Sequence, residues 1–475
     1  MQHKVRIKYF ITLILIGISF YGYSSPSSIT YDIQKFGARG NGKAINTSCI
    51  NAAIEACEKH GGGTVIVPPG VFVSGTIFLK SNVNLHLEKG AVIKGTTDIN
   101  AYQSYVPTKN LDKFNSTSND NKSNVNSTSD KNWIKTLVLG VGIENVTISG
   151  EGIIDGDHVY NPIGEENMRG PHTMIIAESR NITLSNFTIN RAANYAFLGY
   201  DIENFVFQNM TINEGWDGIH IRGGENIIIR NCEFYTGDDA IAGGFWENMT
   251  ITNCYINSSC DGIRVIMPVN GMKISHCQFF GPGKYPHLTS GVRKRTNTLS
   301  AVLLQPGGWG GAPGDLKNIH IHNLEMDNLD NPFMFVLNEG NNGNDILVEK
   351  VKATRINTAA LSVESWKGGV FENMIFRDIT IQYVGKKDPQ LKKILVGEPP
   401  SNARLLPCWG FLIRNVQNIT LENVNLQYTG EESRSAFYFN NVYNTTFKNV
   451  VYKTDSDKEP FILINTGKIK ILNTK

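Results

Sequence analysis

Three aspartates recur at a fixed interval. Asp217, Asp239 and Asp261 open the tripeptides Asp217-Gly218-Ile219, Asp239-Ala240-Ile241 and Asp261-Gly262-Ile263, each 22 residues after the last. The same 22-residue step separates Asn204, Asn226 and Asn248, which precede the alternating apolar segments FVFQNMTIN, IIIRNCEFY and MTITNCYIN. A repeat of this length, built from short β-branched runs and turn residues, specifies a solenoid in which each turn is one repeat. Equivalent residues of successive turns then lie roughly 4.8 Å apart. The aspartates should form one carboxylate row on the coil, and the asparagines a turn ladder whose amides bond the copies above and below.

The repeat runs through most of the 475 residues without a clear break, so one elongated all-β domain is expected over residues 26–475. Before it, MQHKVRIKYFITLILIGISFYGYSS has a basic start and a short apolar run. This predicts a signal peptide over residues 1–25 and a secreted or periplasmic protein without a membrane span. Basic and acidic residues nearly balance, 45 against 43, which gives no electrostatic ground for nucleic acid as a partner. A monomer is expected. Of the seven cysteines, Cys232, Cys254 and Cys277 fall at equivalent coil positions and read as a buried thiol column. No cysteine or histidine spacing suggests a zinc site, and neither a metal nor a cofactor is expected.

Residues 47–60 carry a helical apolar stripe, Ile50, Ile54 and Cys57, with Asn46 or Thr47 as the cap; such a helix would cover the open apolar end of the first coil. Two insertions interrupt the period. Residues 106–132 are polar and read as a flexible loop. Residues 281–298 are basic, with Lys284, His287, Arg293, Lys294 and Arg295; they either arch over the aspartate row or form a plain solvated charge run.

Asp238 doubles the charge in the middle coil, so the candidate catalytic residues are Asp217, Asp238, Asp239 and Asp261. Stacked carboxylates repel and raise at least one pKa, which yields the acid and the base that glycoside hydrolysis requires. Candidate substrate-binding residues nearby are His220, Arg264, Arg293, Arg295, Gln305 and Trp309. Arg222, Trp216, Trp246 and Trp366 are also suited to sugars.

On these residues the chain resembles the polygalacturonase-like glycoside hydrolases, family 28, of the pectin-degrading right-handed parallel β-helix superfamily. The resemblance runs from YDIQKFGARGNGKAINT through VIVPPGVFVSGTIFLKSNVNLHLEKGAVI, IIDG and RGPH, and is strongest over WDGIHI and TGDDAIAG. It implies a right-handed parallel β-helix and an oligo- or polysaccharide substrate containing uronate. It also implies Asp238 as general acid, with Asp217 and Asp239 activating water for inversion. The chain departs from the family pattern where Gly-His-Gly is replaced by Cys260-Asp261-Gly262. In place of the uronate-binding Arg-x-Lys, coil register puts Leu303 and Gln305, while the insertion offers Arg293 and Arg295. A different or decorated glycan, rhamnogalacturonan-type chains included, is therefore an open alternative. A loop closing one end of the groove would favour exo action. Two rival readings stand beside hydrolysis: a β-helix polysaccharide lyase with calcium on the aspartate row, and a non-catalytic glycan-binding solenoid.

Overall fold

The computed structural model describes residues 29–115, 127–288, 294–400, 402–454 and 459–473. The expected signal peptide and Arg293 lie outside the described residues. The strands stack as one continuous sheet in which nearly all pairings are parallel. Phe197–Gln208 pairs in register with Ile219–Arg230, and that strand with Ile241–Thr252, so that Phe205, Ile227 and Met249 share one interior row. These rows are buried along the whole helix and form its core.

The turn ladder follows from asparagine's chemistry. Asn145, Asn181, Asn204, Asn226 and Asn248 each donate their amide to the asparagine one coil earlier at 3.1–3.2 Å. All five adopt φ between 52° and 60°, a left-handed conformation that asparagine tolerates better than other side chains with a Cβ. The thiol column forms as expected: Cys232, Cys254 and Cys277 are buried and unpaired.

The helix Thr47–Lys59 buries Ile50, Ala53, Ile54 and Cys57 against the first coil. Its expected side-chain cap is absent. The Asn46 amide is engaged by the preceding loop, donating to the Ala44 carbonyl and accepting from the Arg39 amide.

The insertion over 106–132, expected as a flexible polar loop, carries packed residues among its described positions. Leu111 and Phe114 are buried with Tyr105, Trp133 and Tyr200 in a second apolar cluster outside the coil. Two apolar residues are too few to register as periodicity, yet they suffice to anchor the described part of the insertion onto the helix.

Candidate active site

The 22-residue register sets the floor of the site. Tyr195, Asp217, Asp239, Asp261 and Ser300 occupy one row on successive coils, as the backbone ladder Ala196–Asp217, Gly218–Asp239, Ala240–Asp261 and Gly262–Ser300 shows. Three residues along, another row runs Leu198, His220, Ala242, Arg264, Leu303. Above this floor lies a cavity of about 230 Å³ lined by Asp217, Asp238, Asp239, His220, Arg264 and residues from four loops: Glu165, Glu166 and Arg169; His287 and Arg295; Trp309; and Asn402.

Side-chain oxygens of Asp217, Asp238 and Asp239 come within 4.8 Å of one another. Cations are interleaved among them. Arg169 Nη2 donates to Asp238 Oδ2 at 3.3 Å while its Nε binds Glu166 at 3.0 Å. Arg264 Nη1 donates to Asp239 Oδ2 at 3.3 Å, and the Asp261 backbone amide donates to Asp239 Oδ1 at 3.0 Å. His287 Nε2 stands 3.6 Å from Asp238 Oδ1. The three carboxylates are close enough together to hold a metal ion, but the arginines already supply positive charge at Asp238 and Asp239.

Burial raises the Asp217 pKa well above the ordinary value, and repulsion from Asp238 and Asp239 adds to it. Asp239 is also raised, by burial and then by Asp238, against the opposing pull of Arg264. Burial acts on Asp238 in the same sense, but the hydrogen bond and charge of His287, with Arg169 and Arg264, outweigh it and hold Asp238 below the usual carboxylate range. Negative charge therefore concentrates on Asp238, and protons on its neighbours.

The other expected residues divide. Asp261 is buried beneath the floor, fully excluded from solvent and from the cavity wall. Burial and Asp239 push its pKa up to about 8. Gln305 is buried outside the cavity. Leu303 follows Arg264 in register but packs with Met334 and Val336, so the polar floor ends there. The basic insertion does arch over the row, bringing His287 to Asp238 and Arg295 to the Cys260 thiol at 3.3 Å. Trp309 lines the cavity and carries Arg264 over its ring at 5.1 Å. Trp246 is instead a core residue, its indole N–H bound to the Ile221 carbonyl; Trp216 is buried under Arg169. His220 reaches the cavity with both ring nitrogens engaged, by Asp217 and Arg222.

Sequence reasoning missed Glu165, Glu166 and Asn402 and gave Arg169 no role. The only signal among them was Arg169, as part of RGPH.

Residues 31–264 match the family described as rhamnogalacturonase A/epimerase, pectate lyase-like. An exo-poly-α-D-galacturonosidase of Dickeya chrysanthemi is 28% identical over 261 residues, which is 43% of this chain and 40% of that protein. An Arabidopsis thaliana exopolygalacturonase is 22% identical over 421 residues, 81% of this chain and 87% of that one. The chain is thus similar to polygalacturonases and exopolygalacturonases. The polygalacturonase of Erwinia carotovora ssp. carotovora, 18% identical, superimposes with a TM-score of 0.50 over 90% of this chain and 97% of its own. That likeness speaks for the fold alone, the right-handed parallel β-helix. The family match ends at Arg264, where the polar floor also ends.

Proposed function

We propose that this protein is an exported, monomeric exo-acting hydrolase that removes a uronate-bearing residue from the end of a pectic chain or oligosaccharide. The observation that carries this is the charge balance of the cavity above the aspartate row. Arg169, Arg222, Arg264 and Arg295 line it, while burial moves Glu165, Asp217 and Asp239 toward their neutral forms. Arg264 Nε is buried without a hydrogen-bond partner, a donor that a sugar carboxylate satisfies. The volume of about 230 Å³ falls below the roughly 300–1,000 Å³ of drug-sized ligand pockets, and loops wall the cavity. It suits one sugar ring better than a chain passing through.

Asp217, Asp238 and Asp239 form the acid–base set. A uronate carboxylate at the arginines offsets the positive charge that keeps Asp238 ionised, raises its pKa, and fits it to protonate the leaving oxygen. The proton Asp238 donates comes from Asp217 or Asp239, which burial keeps toward the neutral form before substrate binds, and the neighbour left ionised by that transfer takes the proton from water. Inversion is carried over from the family resemblance; the short oxygen spacing lies nearer the retaining range of about 5–5.5 Å. The anomer first released, followed by proton NMR, decides between them.

The test incubates the protein and Asp239→Asn with polygalacturonate, rhamnogalacturonan and acidic oligosaccharides. Reducing ends and the ultraviolet absorbance of unsaturated uronides are followed together. Monomer release without absorbance, reduced about 10²- to 10⁴-fold in the variant, is expected of carboxylate acid–base catalysis. Absorbance makes the protein a lyase, and silence across the panel leaves a glycan outside it or a binding solenoid.

A further inference from the structure

The strand Ile219–Arg230 places His220 and Arg222 two residues apart, on one face. Arg222 Nε donates to His220 Nε2 at 3.1 Å, and His220 Nδ1 lies 2.7 Å from Asp217 Oδ2. Both side chains are buried. A guanidinium has no acceptor, so the imidazole nitrogen facing it must be bare, and the single proton of the neutral ring must sit on Nδ1. His220 therefore donates to Asp217.

We propose that Arg222 and His220 are positioning residues that fix the hydrogen-bond polarity at Asp217. They hold Oδ2 permanently as an acceptor, so that the proton Asp217 takes from the hydrolytic water sits on Oδ1. The proposal rests on the hydrolase reading above. In that reaction the water oxygen bonds to the anomeric carbon, the glycosidic bond breaks, Asp238 protonates the leaving oxygen, and the water's proton passes to Asp217 or Asp239. Without a fixed donor at Oδ2, a proton arriving at Asp217 distributes over both oxygens, and half of the orientations point away from the reacting centre.

The surroundings keep the imidazole in this form. Tyr195 stacks on it at 4.8 Å and 5° from the preceding coil. Burial and then the charges of Arg222, His172 and Arg264 press its pKa far below the ordinary value, with Asp238 opposing. At the far end, Arg222 Nη1 donates to the Phe114 carbonyl at 3.1 Å, and its guanidinium lies over the Trp133 ring at 5.4 Å. Phe114 seats against Gly223, where a Cβ would come within 2.5 Å of its ring. The anchored end of the polar insertion thus reaches Asp217 through two side chains.

The experiment compares wild type with His220→Gln, His220→Phe and Arg222→Lys. A glutamine can accept from Arg222 and donate to Asp217; a phenylalanine fills the space and does neither. Expected are kcat within about threefold of wild type for His220→Gln and a loss of about 10² in kcat for His220→Phe, with KM little changed. The acidic limb of the kcat/KM profile, which follows ionisation of the base, should move to higher pH in the phenylalanine variant and return in the glutamine variant. Nitrogen-15 NMR of the wild type, with the His220 signals assigned by their loss in His220→Gln, should show a proton on Nδ1, a bare Nε2, and no titration between about pH 5 and about pH 8. In Arg222→Lys that tautomer preference should weaken. A proton on Nε2, a titrating ring, or an unshifted profile in His220→Phe overturns the proposal. Absence of turnover in the wild type sinks the hydrolase reading instead, and the NMR result then still decides the polarity.

Discussion

Replacing Asp261 by asparagine should stabilise this protein increasingly as the pH rises. Asp261 is fully buried, neither carboxyl oxygen has a hydrogen-bond partner, and the nearest cation, Arg264 Nη1, is 3.9 Å away. With a pKa of about 8 in the folded protein against roughly 3.9 in an unfolded chain, the folded state keeps a proton that the unfolded state loses. The unfolded state binds fewer protons across that interval, so the contribution to stability is greatest below about pH 4, falls by about 1.4 kcal/mol per pH unit, and levels off above about pH 8. Between about pH 5 and about pH 7 the loss is roughly 3 kcal/mol. Asparagine has nearly the same shape and no proton to lose. At roughly 2 cal/mol/K of unfolding entropy per residue, each kcal/mol moves the Tm of a chain this long by about 1 °C. The Tm difference between Asp261→Asn and wild type should therefore grow by about 3 °C in the variant's favour over that interval, measured by calorimetry at several pH values. Since Asp261 does not line the cavity, turnover should stay within a few-fold. Parallel Tm profiles, or a loss of activity comparable to that of Asp239→Asn, refute the reasoning.

Other outcomes follow from particular contacts. Arg264→Gln should raise KM for acidic substrates about tenfold or more, and much less for the same substrates esterified at the carboxylate; equal effects on both would remove the arginine from uronate binding. Asn226→Ala replaces a left-handed residue at φ 55° and cuts the ladder on both sides, costing about 1–3 kcal/mol, with Asn226→Gly recovering the backbone part in a urea titration. Thiol titration should give seven reactive groups on unfolding without reductant, because all seven cysteines are free, and little reaction in the folded protein beyond the half-exposed Cys49.

The period made the floor of the site legible. A strict 22-residue step forces Asp217, Asp239 and Asp261 into one row and the asparagines into a ladder, and both are present. What the period cannot carry is depth. Asp217 and Asp261 look equivalent in sequence, yet one lines the cavity and the other is sealed beneath it, because that depends on which loops cover each coil. The tryptophans show the same gap: Trp246 and Trp309 both fall near turns, but only Trp309 faces the cavity. Glu165, Glu166 and Asn402 were invisible because they stand on loops with no repeat to align them.

The charge state of the row is accordingly a property of the insertions. Coil stacking alone would leave three carboxylates crowded together with their pKa values all raised. Asp238 differs because His287, from one interruption of the repeat, and Arg169, from the loop before His172, reach its two oxygens. Asp217 differs because the packed end of another insertion holds Arg222, and through it His220. The helix supplies identical acids at a fixed spacing, and the breaks in the repeat make them unequal, which acid–base catalysis requires.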